Sequence, residues 1–172
     1  RADLTGDVRF ASDSGRLQTE AAMIAFSADT DGTTQPTQFT TSDRAILETL
    51  DAASQQPPTR FEAQNIRYDL QTGSGRASGP VRFVFYQASD PNSESIARYY
   101  PVEITADGDA EFIASADREI ETVIFNRNVN GVRTQQYAAY TQIDAFHCDT
   151  MNVKIGRDTE GVTGLERITL RD

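Results

Sequence analysis

Several residue types are scarce in this chain of 172 residues, and each scarcity removes a class of explanation. Cys148 is the only cysteine, so no disulfide forms within the chain and the fold must rest on its core. His147 is the only histidine, and a zinc site would have to be built mostly of carboxylates, unlike ordinary zinc ligation. No run approaches the roughly 18 apolar residues a membrane-spanning helix needs, and the start at Arg1-Ala-Asp carries no signal-peptide pattern. Asn-x-Ser/Thr acceptors are absent, which leaves a glycosylated surface protein without support. Basic residues are the minority, 16 Lys and Arg against 26 Asp and Glu, for a net charge of −10. That balance opposes unaided binding to nucleic-acid phosphates or anionic membranes, because both depend on neutralisation by Lys and Arg. A neutral or cationic partner, or an amphipathic ligand held by its apolar part, stays compatible.

What is present is a strand rhythm. In Phe61-Glu-Ala63-Gln-Asn-Ile66-Arg-Tyr68-Asp-Leu70, apolar or small residues stand at offsets 0, 2, 5, 7 and 9. The change of parity between Ala63 and Ile66 predicts a β-bulge, one residue inserted into an alternating strand. Gly73 and Gly75 then predict a turn, and Val81, Phe83 and Phe85 resume a period of two, so residues 60–86 read as a hairpin. A helix fits poorly, since each glycine in a helix interior costs about 1 kcal/mol. The offset pattern recurs in Leu17-Gln-Thr19-Glu-Ala-Ala22-Met-Ile24-Ala-Phe26, in Phe146-His-Cys148-Asp-Thr-Met151-Asn-Val153-Lys-Ile155, and in a weaker copy at Phe39-Thr-Thr41-Ser-Asp-Arg44-Ala-Ile46. Copies start at 17, 39 and 61, a spacing that suits one strand out and one back. Leu4-Thr-Gly6-Asp-Val8-Arg-Phe10 and Ala77-Ser-Gly79-Pro-Val81-Arg-Phe83 are near-repeats and read as further strands. Residues 87–101 form the longest irregular stretch, with a short helical turn at 93–100 and strands resuming at Val102. A single all-β domain spanning residues 1–172 follows, an open, twisted antiparallel sandwich or jellyroll of short repeated strand pairs.

Few residues invite chemistry. His147 and Cys148 are adjacent, but neighbours in a strand point to opposite faces, so they cannot meet as base and nucleophile. Asp29-Thr-Asp31-Gly32 and Asp107-Gly108-Asp109 resemble fragments of calcium loops without the remaining ligands, and read as solvated hairpin turns. Nothing shows two carboxylates converging for glycoside hydrolysis. No catalytic residue, no metal and no cofactor is expected. Nine Phe and six Tyr fall largely in inward slots; they form either a packed core or, if two sheets stay open along one side, an apolar groove.

The glycine–valine strand starts at Gly6-Asp-Val8 and Gly79-Pro-Val81, the turn Tyr68-Asp-Leu-Gln-Thr-Gly73, and the series Val123-Ile-Phe125-Asn-Arg-Asn-Val129, Cys148-Asp-Thr-Met151-Asn-Val153 and Leu165-Glu-Arg-Ile168 resemble the periplasmic β-jellyroll proteins of lipopolysaccharide export. Residues 1–100 look like the LptC-like family and residues 101–172 like the OstA-like, LptA-related repeat. The resemblance implies a boat-shaped jellyroll in the periplasm, non-enzymatic, that shelters lipid A acyl chains of lipopolysaccharide and pairs its edge strands with neighbouring jellyrolls. It also implies an inner-membrane anchor or signal segment before Arg1. On that reading Ile24, Phe26, Ile46, Phe61, Ile66, Tyr68, Phe83, Phe85, Phe112, Phe125, Met151 and Val153 line the groove. The rival readings are a β-sandwich interaction or adhesion domain of the cell envelope without a lipid ligand, and an envelope carbohydrate-active protein.

Overall fold

The computed structural model describes the chain except residues 13–14, 29–30, 50–55, 91, 116–119 and 158–162. Thirteen strands make up the described structure: β1 (Ala2–Ser12), β2 (Gly15–Ala28), β3 (Thr34–Thr41), β4 (Ala45–Thr49), β5 (Thr59–Ala63), β6 (Asn65–Asp69), β7 (Gly75–Ser78), β8 (Val81–Ala88), β9 (Tyr99–Ala106), β10 (Ala110–Ala114), β11 (Ile120–Gln136), β12 (Thr141–Arg157) and β13 (Thr163–Arg171). All pair antiparallel in one sheet, so the all-β class expected from the alternation is the class of the molecule.

The pairing has a simple logic. β2 holds β1 along one edge, while its other edge pairs with β4 through residues 15–19 and with β3 through residues 22–28. β3 and β4 are therefore one rung turned at a corner, Ser42-Asp43-Arg44. The same holds for β5 and β6 around Gln64, for β7 and β8 around Gly79-Pro80, and for β9 and β10 around Asp107-Gly108-Asp109. Four strands thus continue a predecessor around a corner, leaving nine rungs in strict meander from β1 to β13. The corners divide the sheet into two walls, β3-β6-β7-β10 and β4-β5-β8-β9, and β11 spans both by pairing β10 with its first half and β9 with its second.

The offset pattern is the signature of this turn from wall to wall. Alternation that reversed parity within a flat strand would send half its apolar residues into water. At Gln64 parity changes where the chain changes wall, and both halves face the same interior, while the corners at 42–44, 79–80 and 107–109 keep parity. The bulge expected within residues 61–70 is instead a corner at Gln64: β5 pairs β4 and β8, β6 pairs β3 and β7, and Phe61, Ala63 and Ile66 are all buried. In the two unbroken strands, β2 and β12, the pattern is matched by a bulge in the neighbouring strand. Gly6-Asp7 in β1 stand opposite Glu20, and Arg127-Asn128 in β11 stand opposite Asp149. Positive φ at these places, 97° for Gly6 and 68° and 52° for Arg127 and Asn128, makes the extra bend. The 22-residue spacing therefore counts one strand in each wall with its connections, and not a strand out and back.

Other details differ from the sequence reading. Residues 93–100 hold no helical turn; the loop after β8 is fixed by a bridge between Ser95 and Tyr137 and by Ser89 Oγ donating to the Ala97 carbonyl. Asp107-Gly108-Asp109 is a corner, and not a hairpin turn. Gly79 sits so close to Gly108, and Gly108 to Asn126, that a Cβ on either glycine would strike backbone. Asp29 and Thr30 lie outside the described residues, and the neighbouring Asp31 caps a turn by accepting the Thr33 N–H. Among the described residues no helix is long and apolar enough to cross a membrane.

Candidate functional site

The interior between the walls is where the groove was expected. Phe61, Ile66, Phe83, Phe85, Phe112, Phe125, Met151 and Val153 are brought together there as one buried cluster, with Tyr68 half-buried against it. The walls touch: the Phe61 ring of β5 meets the Phe112 ring of β10 edge-on at 4.8 Å, and Phe83 of β8 lies 5.8 Å from Phe125 of β11. Phe125 and Met151 have 0% of their surface exposed to solvent. The middle of the interior is a packed core.

Its ends are looser. Toward β1, Val8, Ala22 and Phe39 form a second small cluster with Leu4, Phe10, Leu17 and Ile24, the last half-buried. Phe26, farther along β2, is 41% exposed. Toward β13, Ile168 packs half-buried on the core and Leu170 is 44% exposed. Ile46, expected in the groove, lies on the other face. It pairs with Gln18 and Glu62, and its neighbours Ala45 and Leu47 point inward, because the corner at residues 42–44 has three residues and preserves parity. With Arg9, Phe10, Arg16, Leu17, Gln18, Glu48 and Arg60, Ile46 lines a hollow of about 480 Å³.

The outer face of the second wall carries a charge ladder that the sequence reading missed. Glu62 is nearly buried and accepts from Arg44, Arg60 and Arg82; Arg60 also reaches Glu48, and Arg82 forms a fork with Glu103 at 2.8 and 2.9 Å. Burial alone would raise the Glu62 carboxyl, but the hydrogen bonds from Arg44 and Arg60 outweigh it and hold the group below the ordinary glutamate range. Alternating strand positions of opposite charge across β4, β5, β8 and β9 were the only signal for it.

Cys148 is buried and burial pushes its thiol up, against what a nucleophile needs. His147 faces the other side, exposed, its Nδ1 at 3.0 Å from Asn130 Oδ1. Among the described residues no three His, Cys, Asp or Glu stand close enough to hold a metal. A second hollow, about 380 Å³, opens at the corner line among Arg76, Ser78, Asp107, Asp109 and Arg127, where Arg76 pairs with Asp109.

What the meander leaves without partners is its edges. Among the described residues β1 pairs only with β2 and β13 only with β12, and the first half of β12, residues 141–148, has no strand beyond it. Comparison of the chain with protein-family models, with curated proteins and with solved structures finds no match.

Proposed function

We propose that this chain is a β-jellyroll interaction module that joins neighbouring β-structures through its terminal strands. The observation that carries this reading is the strict nine-rung meander, which places unpaired strand edges at both ends of one sheet. An unpaired edge offers a row of N–H and C=O groups, and an added strand satisfies them while its alternate side chains supply specificity. Edge pairing is common to the lipopolysaccharide-export bridge and to a ligand-free interaction domain; the packed middle of the interior favours the second. The test is hydrogen exchange of the whole chain with and without an extended peptide of alternating Val and Thr. Slower exchange in β1, β13 or the first half of β12 is expected, and unchanged exchange in all three at saturating peptide sinks the reading.

The lipid-carrying half of the bridge reading draws on one observation, the apolar interior that loosens toward Phe26 at one end and Leu170 at the other. Acyl chains gain about 0.8 kcal/mol per sheltered methylene, and they would reach the middle only by parting the walls at Phe61 and Phe112. A photo-crosslinker replacing Phe26 or Leu170 should then capture lipid A, and one replacing solvent-facing Arg67 should not. Absence of adducts at both end positions removes this reading. Phe61 itself is a poor probe, because its replacement reads core stability first.

A further inference from the structure

The two ends of the meander are not equivalent, and on the edge-pairing reading the difference assigns them separate roles. β1 is terminal, yet Val8 on it is only 9% exposed, and the Phe10 ring closes edge-on against Phe39 at 5.0 Å. Its charges are satisfied within the strand, Arg1 with Asp3 and Arg9 with Asp7, and the bulge at Gly6-Asp7 interrupts its edge. A bulge that twists an edge away is one way edge strands discourage addition.

β13 has a bulge of its own at Glu166, but beyond it residues 167–171 pair with β12 without interruption. Ile168 and Leu170 lie on its inner side, opposite Val153 and Met151, with Leu170 left 44% exposed. Arg167, Thr169 and Arg171 alternate onto the outer side and are exposed. Among the described residues neither arginine has an ion-pair partner, although the chain has ten more acidic than basic groups. Lys154, across from Arg167, is held by Glu121 and Glu166, so the neighbouring acids are engaged there.

We propose that β13 is the acceptor edge for a strand from a different protein whose residues alternate between apolar and acidic, and that β1 is a closed end. The incoming apolar side chains cover Leu170 and extend the interior by one rung. Its acidic side chains stand beside Arg167 and Arg171. Two copies of β13 pairing antiparallel would bring these arginines together, and like charges on facing strands destabilise pairing. β1 of a second copy offers acids already neutralised by Arg1 and Arg9. The arrangement fits a one-sided complex, and not a filament of this chain.

The experiment uses the whole chain with two extended peptides, one alternating Val and Glu and one alternating Val and Lys, followed by calorimetry and by hydrogen exchange. The Val–Glu peptide should bind at least about tenfold more tightly at low salt, with the preference shrinking as salt is added and slowed exchange falling on β13. Replacing both arginines, Arg167→Glu with Arg171→Glu, should reverse the preference, while Asp3→Lys on β1 should leave it unchanged. Both sites are exposed, so far-ultraviolet circular dichroism of each variant should match the parent. Equal binding of the two peptides, protection falling on β1 or on residues 141–148, or an arginine variant with unaltered preference overturns the proposal. If the neutral Val–Thr peptide still protects an edge in that case, edge pairing stands and only the polarity assigned to β13 fails. If no peptide protects any edge, both fall.

Discussion

The outer edge of the Phe146 ring reaches Gly131, its partner across the β11–β12 pair, so closely that a Cβ on the glycine would come within 1.8 Å of the ring's Cζ. The aromatic side chain fills the space a residue 131 side chain would take and continues the core past Val129 and Cys148. Gly131→Ala should therefore destabilise the protein by about 1–3 kcal/mol, through overpacking and a displaced ring. Urea unfolding checks it, and Phe146→Leu in the same chain should recover part of the loss. A strictly additive double variant would mean that the two side chains do not compete for one space.

The bulge in β11 puts Asn128 at a φ of 52°, where its side chain donates to an Asp107 carboxylate oxygen at 2.6 Å. Left-handed backbone costs most residues about 1–2 kcal/mol, asparagine less, and glycine least. Asn128→Val should lower the thermal midpoint well below that of Asn128→Gly, since both lose the Asp107 contact and only valine adds backbone strain. Equal midpoints would show that the backbone at this bulge relaxes freely.

Glu62 gives the fold a pH dependence with a definite sign. Its carboxyl is held below the ordinary value near 4.5, against burial, by Arg44 and Arg60. A lowered folded value means the stabilisation is complete above about pH 4.5 and disappears as pH falls through that lowered value. Its arginine partners are substantially exposed, so Glu62→Gln should cost about 1 kcal/mol near neutrality, below the roughly 3 kcal/mol of a fully buried charged bond. Urea midpoints of parent and variant should differ at pH 7 and converge below pH 4.5; a gap that widens on acidification contradicts the assignment.

The register of β4 can be read by two truncations. Leu47 packs on the core and Ile46 faces outward, so Leu47→Ala should cost about 2 kcal/mol and Ile46→Thr under about 0.5 kcal/mol. Chemical denaturation of the pair decides it, and the reverse order would place Ile46 inside.

Much of this architecture was legible in the residues because alternation is a local property. Phe61, Ala63, Ile66 and Val153 were readable as inward-facing, since burial selects apolar side chains one by one. The parity change was visible too, but its meaning was not: an inserted residue and a one-residue corner leave the same trace in a sequence, and only the partners of β5 and β6 tell them apart. Ile46 was misplaced for a related reason, because the length of the corner at residues 42–44 is set by how β3 and β4 both fit β2. The Glu62 ladder depends on four strands arriving side by side.

The sequence by itself determined an acidic all-β chain without disulfides, with apolar residues spaced to face one interior. Alternation, charge and cysteine number need no partner to be counted. Whether that interior is packed, which wall each half-strand joins, and how the edges at β1 and β13 differ were decided by tertiary structure alone. Those properties arise from distances between residues far apart in the chain, as where Phe61 meets Phe112 and where Leu170, beside Met151, stays 44% exposed.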